Sequence, residues 1–259
     1  MKSAIEINGL SFEYEKGKPV LQDVSVRVAP ASITVLLGKN GSGKSTLIDC
    51  IIGFHSFQKG TVTLNGFNLK DLSERQIAQN VAYVPQTIGS TVDFSVLEFI
   101  TFGRNCWLNV AQRLKEQDWE SARANAEKCG LGSLLHQSIN KLSGGERQLA
   151  YIARALTQDA PIIVMDEPLS SLDVANQQTV LQMIKTIAAE GKTVLLSSHN
   201  PNHALYLNAD VYLLHQGRIV NADRADKIVT PETLKQVYGD RICFSKELPY
   251  QEISFRNET

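Results

Sequence analysis

The chemistry in this chain is most concentrated in Gly38-Lys39-Asn40-Gly41-Ser42-Gly43-Lys44-Ser45-Thr46. The string fits G-x-x-x-x-G-K-[ST]. It follows the apolar run Ile33–Leu37, which reads as a strand buried on both faces, and it precedes a helix expected to start near Thr46. Glycines such as Gly38, Gly41 and Gly43 let successive backbone N–H groups turn inward around phosphate oxygens. The helix N-terminus adds favourable partial charge. Lys44 would neutralise β- and γ-phosphates, and the Ser45 hydroxyl would ligate Mg²⁺. With average residue usage such a string arises by chance in about one chain in a hundred of this length, and the strand-before, helix-after context lowers that further. A nucleotide phosphate site is therefore expected.

Two further stretches suit that site. Asp166 and Glu167 close the apolar run Ile162–Met165. The first carboxylate can hold Mg²⁺ through water, and the second can orient or deprotonate an attacking water. An acidic pair closing a strand takes this meaning from the phosphate loop beside it. Leu142-Ser143-Gly144-Gly145-Glu146-Arg147-Gln148 opens a helix whose start the Ser143–Glu146 capping box already explains. Two glycines in a first turn cost about 1 kcal/mol each against alanine. Close approach of an anion to uncovered N–H groups accounts for them better than stability does.

The composition limits what surrounds these residues. The 259 residues carry 26 Lys plus Arg against 27 Asp plus Glu, and 43% are hydrophobic. That balance describes an ordinary globular chain and excludes disorder as its main character. The basic excess of a dedicated nucleic-acid binder is missing. Cys50, Cys106, Cys129 and Cys243 lie too far apart for a zinc or redox pair, and are expected to pack in a reducing compartment. The N-terminus lacks the apolar core of a signal peptide. Apolar runs are strand-length, far below the ~20 residues that span a bilayer. A role at a membrane would need a separate membrane component.

The elements that must position these groups can be read from patterning. Ile5–Asn8 and Ser11–Tyr14 read as strands flanking Gly9-Leu10, and Val24, Val26 and Val28 alternate as a half-buried strand. Thr61–Leu64 leads into the hairpin signal Asn65-Gly66. The chain then turns helical. Ser95 and Glu98 box a helix through Phe102. Trp119, Ala122 and Ala126 recur at helical spacing before Gly130, and Leu149, Ile152, Ala153 and Leu156 make one apolar face. The last part alternates: a helix from about Val174 to Glu190, the strand Thr193–Ser198, and a hairpin Val211–Val220 turning at Gln216-Gly217. A short helix capped by Thr230-Pro231 follows. Alternating β and α units predict a parallel sheet covered by helices on both faces.

Taken together the motifs resemble the ATP-binding cassette (ABC) ATPases over nearly the whole chain, to about Gly239. Leu142–Gln148 is similar to that family's signature, with Glu146 where glutamine is commoner. The resemblance implies an α/β fold: a P-loop NTPase (RecA-like) core with an antiparallel β subdomain and an inserted α-helical subdomain. Residues 1–85 and 161–240 would form the nucleotide-binding core, 86–160 the helical subdomain, and 241–259 a tail with no regulatory domain. It implies ATP and Mg²⁺. Tyr14 sits where an aromatic stacks on adenine, with Phe12 on the same strand an alternative. Gln86, in Tyr83-Val84-Pro85-Gln86, matches a glutamine that touches Mg²⁺. Asp173 matches the D-loop, and His199 the switch histidine that contacts the γ-phosphate. Two such chains would pair head to tail, so that Ser143, Gly144 and Gly145 enclose the partner's ATP. Glu167 would act as general base, with Lys44 and His199 beside it.

Segment 91–104 is similar to ATPase subunits of importers for iron–siderophores, haem, cobalamin and related metal chelates, in which a TV…V…GR pattern follows the glutamine. His199-Asn200-Pro201-Asn202-His203-Ala204 is similar to that subfamily's H-D-P-N-H-A, with Asn200 replacing aspartate. Val237-Tyr238-Gly239 fits its ending. The reading implies a transmembrane permease, an extracytoplasmic substrate-binding protein, and a peripheral place on the cytoplasmic face of the plasma membrane. It implies no nucleic-acid partner. A soluble single-cassette ATPase serving a scaffold such as iron–sulfur cluster assembly is the alternative, and export is a further one. The ligand carried leaves no trace in such a subunit.

Overall fold

The computed structural model describes residues 3–86, 93–109, 112–170 and 172–239, with the backbone of 242–244 and 253–255. The elements run β1 (Ile5–Glu15), β2 (Lys18–Val28), β3 (Ile33–Leu37), α1 (Lys44–Ile51), β4 (Lys59–Leu64), β5 (Phe67–Asn68), α2 (Glu74–Asn80) and β6 (Val81–Val84). Then come α3 (Val96–Thr101), a 3₁₀ segment Phe102–Trp107, α4 (Glu116–Lys128), α5 (Gly144–Gln158), β7 (Ile162–Met165) and α6 (Val174–Ala189). The last are β8 (Thr193–Ser198), α7 (Pro201–Leu207), β9 (Asp210–His215), β10 (Arg218–Arg224), α8 (Ala225–Ile228), α9 (Pro231–Tyr238), β11 (Ile242–Phe244) and β12 (Ile253–Phe255).

The main sheet has the order β10-β9-β3-β8-β7-β6, parallel except for β10. Its strands are apolar throughout because both faces are covered. Val35, Leu37, Ile163, Met165, Val194 and Leu196 belong to the core shared with the helical layer of α5, α6 and α9. The alternate residues Leu36, Val164 and Leu195 pack with α1 and a second, antiparallel sheet of order β2-β1-β4-β5. Helices therefore cover both faces, as expected, with the antiparallel β subdomain packed beside α1 on one of them. Among the described residues, every element between β6 and β7 is helical.

Several boundaries differ from the sequence expectation, each for a local reason. β1 is one strand of 11 residues. Gly9, with φ +61°, breaks its register against β2 and β4, and a bulge glycine carries the same signal as a turn. The helix opened at Ser95 stops at Thr101 and tightens into the 3₁₀ segment. Helix α2 begins with a capping box of Ser73 and Gln76, and the patterning does not announce it because the helix buries no residue and has no apolar face. The tail pairs as β11–β12, an element its patterning does not announce. Asn65 and Gly66 both have positive φ, as the expected two-residue hairpin requires.

Cys50 and Cys129 are buried, and burial pushes both thiols up to about 12, as suits inert packing residues. The side chain of Cys243 lies outside the described residues, as do Thr91 and Val92 of segment 91–104 and Ser171 of the D-loop. The Gly103-Arg104 end of that segment binds the helical layer together. Arg104 Nε donates to Asp118 Oδ1 at 3.0 Å, and Gly103 rests on the backbone of α5. Arg75 of α2 donates to Cys106 O and Asn109 Oδ1, both at 2.9 Å, tying this segment to the sheet side. A Cβ on Gly103 would lie 2.4 Å from Arg154 O and 2.9 Å from Gln158 N, both backbone atoms. Gly103→Ala is accordingly expected to lower stability by about 1–3 kcal/mol, as overpacking does, read from the urea midpoint at unchanged slope.

Candidate active site

Strands β3, β8 and β7 are neighbours, with Leu37 opposite Ser198 and Met165 opposite Leu196. Their C-terminal ends thus deliver the glycine loop, His199 and Asp166-Glu167 to one edge of the sheet, where ligands of open α/β sheets bind. The loop rises from Gly38, which only glycine can occupy because a Cβ would lie 2.4 Å from Leu214 O. It ends in the buried Lys44, whose Nζ donates to Gly38 O at 2.9 Å and Lys39 O at 3.0 Å. The same Nζ is 3.0 Å from Glu167 Oε1, with both side chains at most 6% exposed.

Glu167 is held against its own preference. Its φ of +44° is strained for a residue with a Cβ. The Ser197 hydroxyl accepts its N–H at 2.7 Å and donates to Asp166 Oδ1 at 2.6 Å, fixing both carboxylates from β8. His199 Nδ1 donates to Glu167 Oε2 at 2.8 Å. Burial alone would raise the carboxyl of Glu167. Hydrogen bonds from His199 and Lys44, with the charge of Lys44, outweigh it and hold the group down at about 2.

In front of this cluster is a cavity of about 410 Å³ lined by Asn40, Gly41, Gly43, Lys44, Ser45, Thr46, Gln86, Glu167 and Val20. Nothing lies within 4 Å of a Cβ built on Gly41, so the loop backbone is open to a ligand there. Ser45, Gln86 and Asp166 offer oxygen donors alone, the set a hard cation such as Mg²⁺ takes. Of the two candidate aromatics, Phe12 is buried and Tyr14 exposed. The Tyr14 hydroxyl lies 3.2 Å from Thr46 Oγ1, which puts the exposed ring beside the first turn of α1.

Tyr14, Gly38, Asp166 and His199 stand outside the lining of this cavity, and so do Ser143, Gly144, Gly145 and Asp173. Ser143 accepts from Glu146 N at 3.3 Å in the expected capping box. Asp173 caps α6, accepting from Asn176 N at 2.8 Å. The two glycines differ. A Cβ on Gly144 would meet nothing within 4 Å, whereas one on Gly145 would lie 2.7 Å from Asn176 Nδ2. Asn176 Nδ2 also donates to Asp173 Oδ2 at 3.0 Å, so one asparagine joins the glycine turn to the cap of α6. The close approach at Gly145 is made by the chain's own side chain. The close approach of an anion remains available at Gly144.

Sequence reasoning missed Ser197 and Asn176. Ser197 could have been found as a hydroxyl following the apolar run Val194–Leu196, and Asn176 carries no such mark. It also left open what Asn200 does. Its Oδ1 accepts from Asn202 N at 3.0 Å to cap α7, and its Nδ2 reaches His203 Nε2 at 3.4 Å. That leaves the Nδ1 proton of His203 for Ser198 Oγ at 2.9 Å. An aspartate could only accept at this position and would require the proton on Nε2.

The sequence profile described as ABC transporter matches residues 21–170. The chain belongs to the ABC transporter family. It is 34% identical over 245 residues to the manganese transport system ATP-binding protein of Bacillus subtilis, covering 94% of this chain and 95% of that one. It is 32% identical to the iron(3+)-hydroxamate import ATP-binding protein of the same organism, covering 85% and 82%. Among solved structures, a chain of a metal-chelate type ABC transporter in an inward-facing conformation superposes with a TM-score of 0.84. The identity is 28%, and the match covers 99% of this chain and 97% of that one. The ABC chain described here is an ATPase coupled to transport, with the P-loop α/β cassette fold. No helix among its described residues is long and apolar enough to cross a membrane.

Gly144→Ala should leave stability unchanged or raise it by up to ~1 kcal/mol, by helix propensity, while lowering ATP turnover. Gly145→Ala should cost ~1 kcal/mol by displacing Asn176 from Asp173, and Asn176→Ala should relieve that cost. Denaturation midpoints beside steady-state kinetics check both. His203 is held neutral, down at about 4 from 6.5, by burial first and then by His199. Its contribution to stability is present above pH 6.5 and is lost as pH falls through about 4, on the order of 3 kcal/mol in all. Glu167 acts lower, between about 4.5 and 2. His203→Gln should flatten the stability profile between pH 6.5 and 4, measured by denaturation at a series of pH values.

Proposed function

We propose that the chain hydrolyses MgATP between two copies of itself arranged head to tail, and that the cycle drives a separate membrane permease importing a metal ion or metal chelate. The observation that carries the hydrolytic part is the sharing of one buried carboxylate, Glu167, between Lys44 Nζ and His199 Nδ1. An anionic γ-phosphate competes for both of those donors. Lys44 turns to the β- and γ-phosphates and His199 to the γ-phosphate, and Glu167 is left buried without them. Burial then acts unopposed and raises its carboxyl, turning a poor base into a competent one for the attacking water. Ser197 keeps Glu167 aimed during that exchange, through the N–H it accepts.

Ser45, Gln86 and Asp166 would hold Mg²⁺, which would supply positive charge against the phosphates. The glycine loop, Asn40 and Thr46 line the phosphate path, and the exposed ring of Tyr14 suits the adenine face. Ser143, Gly144 and Gly145, which do not line this chain's own cavity, would meet the γ-phosphate of the partner copy, with Asp173 beside them. Residues 1–85 and 161–240 would act as the nucleotide-binding core and 86–160 as a helical body moving against it. The import reading is supported by relatives named for manganese transport and iron(3+)-hydroxamate import. Such a system places the chain at the cytoplasmic face of the membrane, with an extracytoplasmic binding protein supplying the cargo.

Glu167→Gln tests the reading. It should lower kcat by ~100-fold or more while ATP still binds. In size-exclusion chromatography with ATP and Mg²⁺ it should run as a persistent dimer, whereas the wild-type chain returns to monomer as ATP is consumed. Turnover within a few-fold of wild type would remove Glu167 from the role of general base.

A further inference from the structure

Helix α9 is built to be rigid. Thr230 Oγ1 accepts from Thr233 N at 3.3 Å, Pro231 occupies the first turn, and Leu234, Val237 and Tyr238 are buried in the main core. A phenylalanine would fill the apolar space at 238 equally well. The tyrosine hydroxyl instead donates to the backbone carbonyl of His199, at 3.0 Å. His199 needs such a hold. It follows the end of β8, its side chain is 44% exposed, and its ring is engaged through Nδ1 by Glu167. Ser198 Oγ accepts the next backbone N–H, from Asn200, at 3.1 Å, so the turn after β8 is held from two sides. Burial, and then the nearby Glu167 carboxylate, push the Tyr238 phenol up, so it stays a donor across the pH range in which the protein works.

We propose that Tyr238 is a positioning residue for His199. By holding the His199 carbonyl it sets where the imidazole stands between Glu167 and the γ-phosphate, and it makes α9 a working part of the hydrolytic centre, more than a C-terminal packing element. The proposal rests on the reading of His199 as the residue that meets the γ-phosphate. Misplacing a group by a fraction of an ångström is enough to slow a reaction that depends on alignment.

The test is a double-mutant cycle on the full-length chain, with ATP turnover measured well below the thermal midpoint of every variant. Tyr238→Phe should lower kcat by about 10-fold with KM for ATP within about two-fold, a split that a loosened core would not produce. In the His199→Ala background the same substitution should change kcat by less than about two-fold, because the group it positions is gone. If Tyr238→Phe turns over like wild type while His199→Ala is crippled, the proposal is wrong and the reading of His199 stands. An equal fold-loss in both backgrounds also overturns it, since Tyr238 would then act through something else. Full turnover by His199→Ala would overturn the reading of His199 and this proposal with it.

Discussion

A carboxylate buried between an ammonium group and an imidazole is the constraint around which the rest is arranged. Without ligand, Glu167 stays ionised in that buried place only with partners, since an unpaired buried charge costs several kcal/mol. It needs Lys44 on one oxygen and His199 on the other. Those three residues come from points in the chain far apart, so the fold must bring the ends of β3, β7 and β8 side by side and keep them there. The strand order does this, with β8 between the other two. The pairing is also metastable in a useful sense. Both donors that stabilise the carboxylate are ones a polyphosphate can also attract, and on the function proposed here ligand binding and activation of the base would be one exchange of partners.

The two faces of the main sheet divide the supporting work. One face seats α1 and the small antiparallel sheet, which fix the phosphate loop and present Tyr14 above it. The other seats α5, α6 and α9. From that side come the glycine turn at Ser143, the cap at Asp173 and the hydroxyl of Tyr238. Asn176 joins the first two, and Tyr238 reaches the turn after β8. Groups that stand outside the lining of this chain's cavity are thus tied to the same helical layer that holds the His199 carbonyl.

What could be read from the sequence was whatever local chemistry dictates. The strand Ile33–Leu37 and the loop after it were found because an apolar run and a glycine pattern each admit few structures. The boxes at Ser95 and Ser143 were found because the cap and its partner are three residues apart. Gly9 misled, because a bulge and a turn ask the same freedom of the backbone. Helix α2 escaped because it lies on the surface without an apolar stripe. Ser197, Asn176 and the hydroxyl of Tyr238 act across 30 to 40 residues or on a neighbouring turn, and no local spacing marks them. Gly145 was understood only in part: its lack of a Cβ serves Asn176 inside the chain, a reason visible only once α5 and α6 are packed.

An ATPase cycle that drives a membrane permease requires the two to be bound to each other. The most direct measurement is to tag the chain in its host, solubilise the membranes gently, and identify by mass spectrometry what co-purifies. The account predicts a many-helix permease at matching stoichiometry. Recovery of soluble partners alone, with the chain absent from the membrane fraction, would contradict it and point instead to a scaffold-associated ATPase.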